Sequence, residues 1–368
     1  MIDKNTVICY SYKGHYVVII TRTEDSMHPS PSEYIMPAEW APHAGMLMEW
    51  PVADPVWADD LAEAKDAFAH VARTIARFEP LTMIANPEDA EEARKLCGES
   101  VSVLAFPHDD CWARDNAPTF VLHGKTGARA GINWRFNAWG GKYPFTRDNE
   151  IPPLYLSHTG TPRIDAPIIL EGGSIHVNGS GTLLTTEECL LNPNRNPELS
   201  RAEIEVVLKE HLGISRIIWL PRGLAGDETD GHVDNLCCFI DQNAVLLPWT
   251  DDRSNDNYEC LSEARDILLR EGLTVETVPQ PPAILHHGEP LTLSYINFVF
   301  VNGGIVMPSF GGAAAETDQL AQAKLRALFP DREVVALPTL PIIRGGGNIH
   351  CITQQIPRAS AKEEACAR

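Results

Sequence analysis

The sequence predicts an α/β protein built from a repeated unit of strand, strand, helix and strand. From residue 36 onward, β-like runs alternate with segments of helical periodicity. The segment 171–177 (EGGSIHV) is echoed by 345–351 (GGGNIHC), although so short a match also arises by chance. Hydrophobic residues make up 44% of the 368 residues and charged residues 22%, as is typical of a packed globular domain. The unit recurs about five times, so its copies should bury their cores against one another.

The elements follow from hydrophobic periodicity and turn residues. Apolar residues of the first helix recur on one face, as shown by Leu61, Ala64, Phe68, Val71 and Ile75. In chain order, strands are predicted at 46–51, 81–87, 100–107, 169–177, 181–188, 216–221, 235–240, 244–249, 274–279, 298–310 and 333–339. Helices are predicted at 61–77, 87–97, 200–212, 260–271 and 318–329.

These elements place one catalytic domain at residues 36–358. Residues 1–35 are predicted to be a detachable N-terminal extension, with one candidate strand at 16–21 followed by the polar stretch SMHPSPSEY. Residues 359–368 are predicted to be a C-terminal tail.

Charge and cysteine usage exclude several classes of protein. The net charge is −20 and no cluster of Lys or Arg stands out, so nucleic acids and anionic membranes are poor partners and a small cation suits better. The nine cysteines form no CxxC pair, which argues against a disulfide framework or a zinc ribbon. No apolar run reaches the length of a membrane span, and the first residues lack the pattern of a signal peptide. A cytoplasmic location is expected.

The densest polar motif is GDETDGHVDN at 226–235. In an extended segment His232 and Asp234 would share one face, an arrangement suited to acid/base chemistry beside a carboxylate that binds a cation. Two alternatives stay open: a solvated acidic loop, and a metal site with His232, Asp234 and Asp227 as ligands.

The motif GGGNIHCITQQ at 345–355 carries a candidate nucleophile. Its glycines allow close approach of a ligand, and Cys351 starts an apolar β-like segment that would hold the thiol rigidly. A thiolate is the strongest side-chain nucleophile near neutral pH. The other cysteines are interpreted as inert, buried residues.

Two further motifs add carboxylates. In DDCWARDNAPTF, at 109–120, a carboxylate and an aromatic ring suit a planar cation, although Arg114 could simply pair with an Asp. In LEGGSIHV, Glu171 lies in an apolar predicted strand, where an unpaired carboxylate is costly. A catalytic His is the expected partner, whereas His176 is interpreted as structural.

Together these segments resemble the agmatine deiminase family of the guanidino-group-modifying (pentein) superfamily. The matching stretches are MPAEWAPHAGMLMEWP, WARDNAPTF, INWRFNAWGGKY, LEGGSIHVNGSGTLLTTEECLLNPNRNP, ETDGHVDN and GGGNIHCITQQIP, spread over residues 36–357. One departure is Ala117, where the family usually has Gly. The resemblance implies a five-bladed α/β propeller with pseudo-fivefold symmetry.

The resemblance also implies a role for each motif residue. Cys351 would be the nucleophile and His232 the general acid/base. Asp115 and Asp234 would grip the guanidinium. The supporting residues would be Glu171, which orients His232, Glu228, which receives the far amino group of agmatine, and Trp112, a wall of the substrate channel.

No metal or other cofactor is implied, and the expected partner is a small guanidino compound. Relatives are often homo-oligomers, so self-association is expected by analogy. Three rival hypotheses stay open: a deiminase acting on peptidyl-arginine or another guanidine, a metal-dependent hydrolase, and a polyamine-binding protein without catalytic activity.

Overall fold

The computed structural model describes residues 29–52, 57 and 60–360, together with the backbone of two strands near the N-terminus. Those strands, Val7–Tyr12 and His15–Ile20, pair with each other in antiparallel register where one strand was predicted. Residues 361–368, most of the predicted tail, lie outside the described residues, as does part of the predicted extension 1–35.

Five sheets share one connectivity. In each sheet two strands pair antiparallel, a helix follows the second strand, and a third strand lies parallel to the second. This is the predicted unit of strand, strand, helix and strand, and it accounts for most of the described chain.

The first sheet joins segments from opposite ends of the described chain. Strand Thr353–Pro357 pairs antiparallel with His43–Glu49. Two parallel strands continue the sheet, Leu81–Ala85 and Val101–Ala105. Helices Leu61–Ile75 and Ala90–Cys97 connect the parallel strands. The first helix buries Phe68, Val71 and Ile75, the face that its periodicity predicted, and each such side chain contributes about 1.5–3 kcal/mol.

The second sheet was not predicted from the alternation. It contains Tyr34–Ile35, Thr119–His123, Arg129–Arg135 and Arg163–Ile169, with helix Ile151–Thr159 before the last strand. Two features make the helix and the last strand of this sheet hard to recognise in the sequence. The helix opens with consecutive prolines, which suit its first turn but resemble a loop, and the last strand contains a proline of its own.

The remaining three sheets repeat the unit without added strands. The third contains Ile175–Val177, Thr182–Thr186 and Arg216–Leu220 with helix Arg201–Leu212. The fourth contains Cys238–Asp241, Ala244–Trp249 and Thr274–Pro279 with helix Tyr258–Arg270. The fifth contains Val299–Val301, Gly304–Ser309 and Glu333–Pro338 with helix Ala315–Leu328.

Short elements connect the sheets. A two-stranded hairpin pairs Leu285–His286 with Glu289–Pro290. Short helices lie at Ala113–Asn116, Ala138–Gly141, Glu187–Leu190, Val233–Leu236 and Leu340–Ile343. Single turns of 3₁₀ helix lie at Pro31–Glu33, Asp148–Glu150, Gly172–Ser174 and Gly312–Ala314. No helix in the described part of the chain is long and apolar enough to cross a membrane.

Two local predictions near the candidate residues are wrong. The strand predicted at 169–177 is interrupted by the turn Gly172–Ser174, so Glu171 precedes a turn instead of lying in a strand. Gly172 passes so close to the Arg114 carbonyl that a Cβ there would lie 2.0 Å from its oxygen. His232 and Asp234 are not in an extended segment, because the short helix Val233–Leu236 begins directly after His232.

Candidate active site

The candidate residues occupy equivalent positions in the five sheets. In each sheet a residue of the site lies two to four positions before the strand that opens the antiparallel pair, as the strand bounds show; four of the five have polar side chains, and the glycine contributes its backbone N–H. These residues are Asp115, Gly173, Asp234, Asn297 and Cys351. Each unit therefore delivers one short segment to the site, and buried strands hold these segments in place.

Cys351 lies in a turn two residues before strand Thr353–Pro357. Its Sγ is 3.6 Å from Asp234 Oδ2. Burial and the charges of Asp234 and Asp115 raise the pKa of the Cys351 thiol well above its ordinary value. Gly347 makes room beside it, since a Cβ at Gly347 would lie 2.4 Å from the Trp112 ring and 3.0 Å from the Cys351 Cβ. The sulfur is thus held as a buried thiol next to a carboxylate.

Asn297 is a site residue that the sequence motifs did not reveal. Its side-chain oxygen accepts the His350 backbone N–H at 3.0 Å, so its Nδ2 points toward Cys351 and lies 3.2 Å from Sγ. The same Nδ2 donates to Asn235 Oδ1 at 3.0 Å. This fixed donor favours the thiolate form of Cys351.

Asp234 is bound by a histidine. His350 Nδ1 lies 2.9 Å from Asp234 Oδ2, and the other ring nitrogen lies 2.8 Å from Glu39 Oε1. Burial alone would raise the pKa of Asp234, but the hydrogen bond and charge of His350 bring it below its ordinary value. Asp234 is therefore an anion in the free protein.

Asp115 has neutral partners. Its Oδ1 accepts the Gly173 backbone N–H at 2.9 Å, and its Oδ2 accepts the Trp139 indole N–H at 2.9 Å. Burial raises the pKa of Asp115 to about 8, and the charges of Asp234 and Glu171 add to the rise. At neutral pH Asp115 is therefore mostly protonated in the free protein.

His232 lies between Asp115 and Glu171. Its Nδ1 is 3.9 Å from Asp115 Oδ2, and its Nε2 is 3.9 Å from Glu171 Oε2. Burial lowers the pKa of His232 to about 3, although Asp234 opposes the change. The imidazole is therefore neutral in the free protein and available to accept a proton.

Arg195 holds Glu171 and the adjacent loop together. Its Nε donates to Glu171 Oε1 at 2.6 Å, its Nη1 donates to Asp230 at 2.7 Å, and its Nη2 donates to the Thr229 carbonyl at 2.9 Å. Burial raises the pKa of Glu171, and Arg195 counteracts the rise. The loop that carries Glu228 and His232 is thus tied to Glu171.

Gly173 marks the point where the site residues converge. A Cβ at this position would lie 2.6 Å from His232 Nδ1, 2.9 Å from Asp234 Oδ2 and 3.0 Å from Asp115 Oδ1. Only glycine leaves these three polar groups undisturbed. The structure therefore gathers the predicted His232, Asp115 and Asp234 around one position.

A cavity opens beside these groups. The residues that line it include Cys351, Asp115, Trp112, Trp139, Tyr143 and Glu228. Glu228 is exposed, and its Oε2 accepts the Tyr143 hydroxyl at 3.4 Å. The Trp112 ring stacks on Trp57 with centroids 5.9 Å apart. The Cys351 sulfur, Asp115 and Glu228 thus share one cavity with aromatic walls.

Two clusters of potential metal ligands occur in the part of the chain that the structure describes. Among the described residues, three ligand atoms lie within 4.8 Å of one another in two clusters, Glu39–His176–His350 and Glu171–Cys189–His232. Both ring nitrogens of His350 already face carboxylates, and Arg195 already neutralises Glu171.

The predicted metal set is not among these clusters. The Asp227 carboxylate instead bonds to Thr229 within its own loop and to Asn235. The alternative site of His232, Asp234 and Asp227 therefore has no assembled donor set.

Several site residues were not predicted individually, although four of the five lie in the matching stretches of the sequence. They are Asn297, Glu39, Trp139, Arg195 and His350. For two of them a signal existed. Asn297 is a lone polar residue in the apolar run YINFVFV, and Glu39 lies in the otherwise uncharged stretch MPAEWAP. Arg114, for which an Asp partner was considered, contacts Glu39 instead, with 3.4 Å between Nη1 and Oε1.

The fold and the site together define a class of protein: a mixed α/β protein with a buried centre of cysteine, histidine and carboxylates. A family model described as Porphyromonas-type peptidyl-arginine deiminase matches residues 35–357. The chain belongs to this family.

Individual relatives agree with the predicted resemblance. The chain is 46% identical over 362 residues to the agmatine deiminase of Stutzerimonas stutzeri (strain A1501), which covers 89% of this chain and 97% of that protein. It is 45% identical over 362 residues to the agmatine deiminase of Pseudomonas aeruginosa (strain LESB58), with the same coverage of 89% and 97%. The prediction of the family is confirmed.

Solved structures agree with the fold. The agmatine deiminase of Enterococcus faecalis superposes with a TM-score of 0.85 at 32% identity, covering 89% of this chain and 98% of that chain. A substrate-bound agmatine deiminase of C. jejuni gives a TM-score of 0.84 at 27% identity, covering 89% and 97%. The predicted mixed α/β class is confirmed.

Proposed function

We propose that this protein hydrolyses agmatine to N-carbamoylputrescine and ammonia. One observation carries the proposal: Cys351 Sγ lies 3.6 Å from the ionised Asp234 and shares a cavity with Asp115. A sulfur beside two carboxylates suits a planar cation whose carbon is to be attacked. The substrate is inferred from relatives that are named agmatine deiminases, and the chemistry is inferred from the residues that line the cavity.

The two carboxylates hold the substrate in this proposal. Asp234 and Asp115 accept N–H groups of the guanidinium and turn its carbon toward Cys351. Water attacks a resonance-stabilised cation poorly. Holding the guanidinium carbon next to Cys351 supplies the proximity and orientation that the nucleophile needs. The walls formed by Trp112 and Trp139 fit the flat faces of the guanidinium group.

Cys351 then acts as the nucleophile. Its proton passes to His232, and the thiolate adds to the guanidinium carbon. The imidazolium returns this proton to the departing nitrogen, the C–N bond breaks, and ammonia leaves behind a covalent thiouronium. Water adds to the same carbon while His232 takes one of its two protons. The C–S bond then breaks as the remaining hydroxyl proton passes to the sulfur, so the urea-type product leaves with the thiol restored, and His232 releases its proton to solvent.

The substrate itself promotes the ionisation of Cys351. In the free protein, burial and neighbouring carboxylates keep the pKa of the thiol high. An incoming guanidinium adds a positive charge beside the sulfur, and a nearby cation lowers the pKa of a thiol. The cysteine is thus activated chiefly when the cavity is occupied.

Glu228 determines the preferred tail of the substrate in this proposal. It lines the same cavity as Cys351, and its carboxylate is exposed. Such a group attracts the amine of agmatine and repels the α-carboxylate of free arginine. Glu228→Gln should therefore lower kcat/KM for agmatine much more than for a guanidine without the amine. Equal losses on both substrates would remove Glu228 from this role.

The decisive experiment is mass spectrometry of the protein quenched during turnover of agmatine. We expect a thiouronium adduct on the peptide that contains Cys351, and no adduct in Cys351→Ser. Ammonia release without any adduct under rapid quenching would contradict the covalent route.

The rival substrates separate in the same assay. Ammonia release should be fastest from agmatine, slower from arginine and slowest from an arginine blocked at both ends. A preference for the blocked arginine would favour action on peptidyl-arginine. Binding of agmatine without ammonia release would favour a polyamine-binding role.

The finer architecture is part of the proposal. The five units should surround one axis as a five-bladed α/β propeller with the cavity near the axis. Support comes from the position of the site residues, because each unit contributes a segment that directly precedes its first strand. Self-association and a cytoplasmic location stay predictions.

A further inference from the structure

His350 has a negatively charged neighbour at each ring nitrogen. Nδ1 lies 2.9 Å from Asp234 Oδ2 and Nε2 lies 2.8 Å from Glu39 Oε1. A neutral imidazole carries only one N–H, so one of the two contacts would set a lone pair against a carboxylate oxygen. Two N–H donors satisfy both contacts, and then His350 is a cation.

The surroundings favour the same charge state. Glu39 is ionised, because His350, Arg114 and His176 outweigh burial and hold the pKa of Glu39 well below its ordinary value. Burial and Arg114 oppose a charge on His350, but Glu39 and Asp234 prevail and raise its pKa. The titratable groups that face this imidazole are Asp234, Glu39, Arg114, His176, His232 and the neighbouring Cys351.

We propose that His350 is a positioning residue of the reaction: as an imidazolium clamped by Glu39, it fixes Asp234 as a permanent anion 3.6 Å from the Cys351 sulfur. This inference rests on the proposed deimination and deepens it. His350 does not touch the substrate in this account. It acts through Asp234, and Glu39 acts through His350.

The clamp solves a problem that is specific to this site. Asp115 and Asp234 both approach Gly173 and repel each other when both are charged, so one of them tends to take up a proton. The cation on His350 decides which one, because it touches Asp234 and does not touch Asp115. The anion is thereby kept on the side of Cys351, where the guanidinium carbon must be presented.

The backbone strengthens the arrangement. The His350 N–H donates to Asn297 Oδ1, and the Cys351 carbonyl accepts the Arg114 N–H at 3.0 Å. Arg114 Nε also donates to the His350 carbonyl at 3.3 Å. The imidazole and the sulfur are therefore held by the same short segment, and the position of one determines that of the other.

The charge of His350 can be measured without any assay of activity. In the full-length protein labelled with ¹⁵N-histidine, NMR should show one imidazole whose two nitrogens are both protonated at pH 7. His350→Gln should remove that signal. If this variant does not fold, the loss of the second proton in Glu39→Gln identifies the signal instead. A His350 with a single protonated nitrogen at pH 7 overturns the proposal.

Kinetics test the consequence for Asp234. In Glu39→Gln the clamp loses its anion and His350 loses its charge, so the pKa of Asp234 should rise by about 1–3 units, the usual effect of one nearby charge. KM for agmatine should then increase on the acid side of the pH profile, whereas kcat at saturating agmatine and alkaline pH is retained. A Glu39→Gln profile identical to the wild type overturns the proposal.

Glu79→Gln is the matched control, because Glu79 is also buried and its carboxylate lies 3.0 Å from the Nδ1 of another buried histidine, His43, which is not a site residue. This variant should keep both the NMR signature of His350 and the KM profile; loss of both would overturn the assignment of these effects to the clamp. Failure of wild-type protein to release ammonia from agmatine would contradict the proposed function, while the NMR result would still decide the charge of His350.

Discussion

Asp115 and Asp234 approach the same glycine, yet their surroundings differ. Asp234 is bound by His350, whereas Asp115 is bound by a backbone N–H and an indole N–H. Both are buried, and the pKa of Asp234 is lowered while that of Asp115 is raised to about 8. Burial alone therefore does not set the charge of a carboxylate, because the charge of its partner decides.

In the proposed mechanism this difference gives the two residues separate tasks. Asp234 is an anion before the substrate arrives. We expect Asp115 to lose its proton when the guanidinium enters. The free site thus avoids holding two adjacent anions, and the occupied site gains the second one when it is needed.

The largest expected effect concerns stability. Asp234→Asn removes the anion that faces the His350 cation, and breaking a buried ion pair from one side costs about 3–5 kcal/mol. Asp115→Asn replaces a carboxyl that is already neutral at pH 7 and breaks no ion pair. Unfolding of the wild type at pH 7 releases the Asp115 proton, whereas unfolding of this variant does not, so the free energy of unfolding should not fall in Asp115→Asn. Denaturant unfolding at pH 7 measures both variants.

A surface variant completes the stability test. Asp165→Asn alters an exposed carboxylate that pairs with Arg163, and it should be nearly neutral. Equal destabilisation by Asp115→Asn and Asp234→Asn would show that the two carboxylates carry the same charge in the free protein, contrary to the comparison.

The next effect concerns the point where the two carboxylates meet. In Gly173→Ala the added methyl group would lie within 3.0 Å of Asp115, Asp234 and His232, so it should displace all three. Displacements near 1 Å cost about 100-fold in rate. We expect kcat/KM for agmatine to fall by at least about that factor.

Gly124→Ala is the control for this variant, because its Cβ would make only ordinary contacts at 3.5 and 3.6 Å. It should keep wild-type kinetics. A fully active Gly173→Ala would mean that the three groups do not act together.

How much of this site the sequence could reveal depends on where each signal lies. Cys351, His232 and Asp115 belong to dense local motifs, so they were identifiable. The clamp of His350 by Glu39 joins residues 311 positions apart, and only folding brings them together. The strand alternation predicted four of the five sheets, and it missed the second because prolines obscure its helix and its last strand.

The local conformation of the site was harder to predict than its residues. The extended segment predicted for His232 and Asp234 is a helical turn, yet both side chains still approach Gly173. The strand predicted through Glu171 is broken by a turn. In both places tight backbone packing against other units determines the conformation, and a single segment carries no information about such contacts.

The pH dependence gives a finer test of Asp115. Below its pKa of about 8 the guanidinium must displace a proton from Asp115, so kcat/KM for agmatine should rise by up to about tenfold per pH unit between pH 6 and 8. Asp234 adds no second rising limb to the pH profile of kcat/KM in this range, because the pKa of Asp234 is lowered. Asp115→Asn should be less active and should lack this limb. A variant that keeps the limb would assign it to another group.

The raised pKa of Asp115 also predicts how the free energy of unfolding changes with pH. An unfolded Asp has a pKa of about 3.9, so between roughly pH 4 and pH 8 native Asp115 binds a proton that the unfolded chain has lost. This contribution to stability is complete below pH 4 and is lost as the pH rises through 8. Unfolding of wild-type protein and Asp115→Asn across this range measures the difference in slope.

The smallest expected effect isolates one hydrogen bond to Asp115. Trp139→Phe keeps an aromatic wall but removes the indole N–H that lies 2.9 Å from Asp115 Oδ2. A hydrogen bond to a charged group contributes about 1.5–3 kcal/mol, so the pKa of Asp115 should rise by about one to two units and the limb in kcat/KM should move to higher pH by the same amount.

Trp134→Phe is the matched control: this equally buried indole donates at 3.0 Å to Thr119, which is not a site residue. Trp134→Phe should leave the limb where it is, and a limb that stays in place in Trp139→Phe as well would show that burial and the neighbouring carboxylates alone set the charge of Asp115.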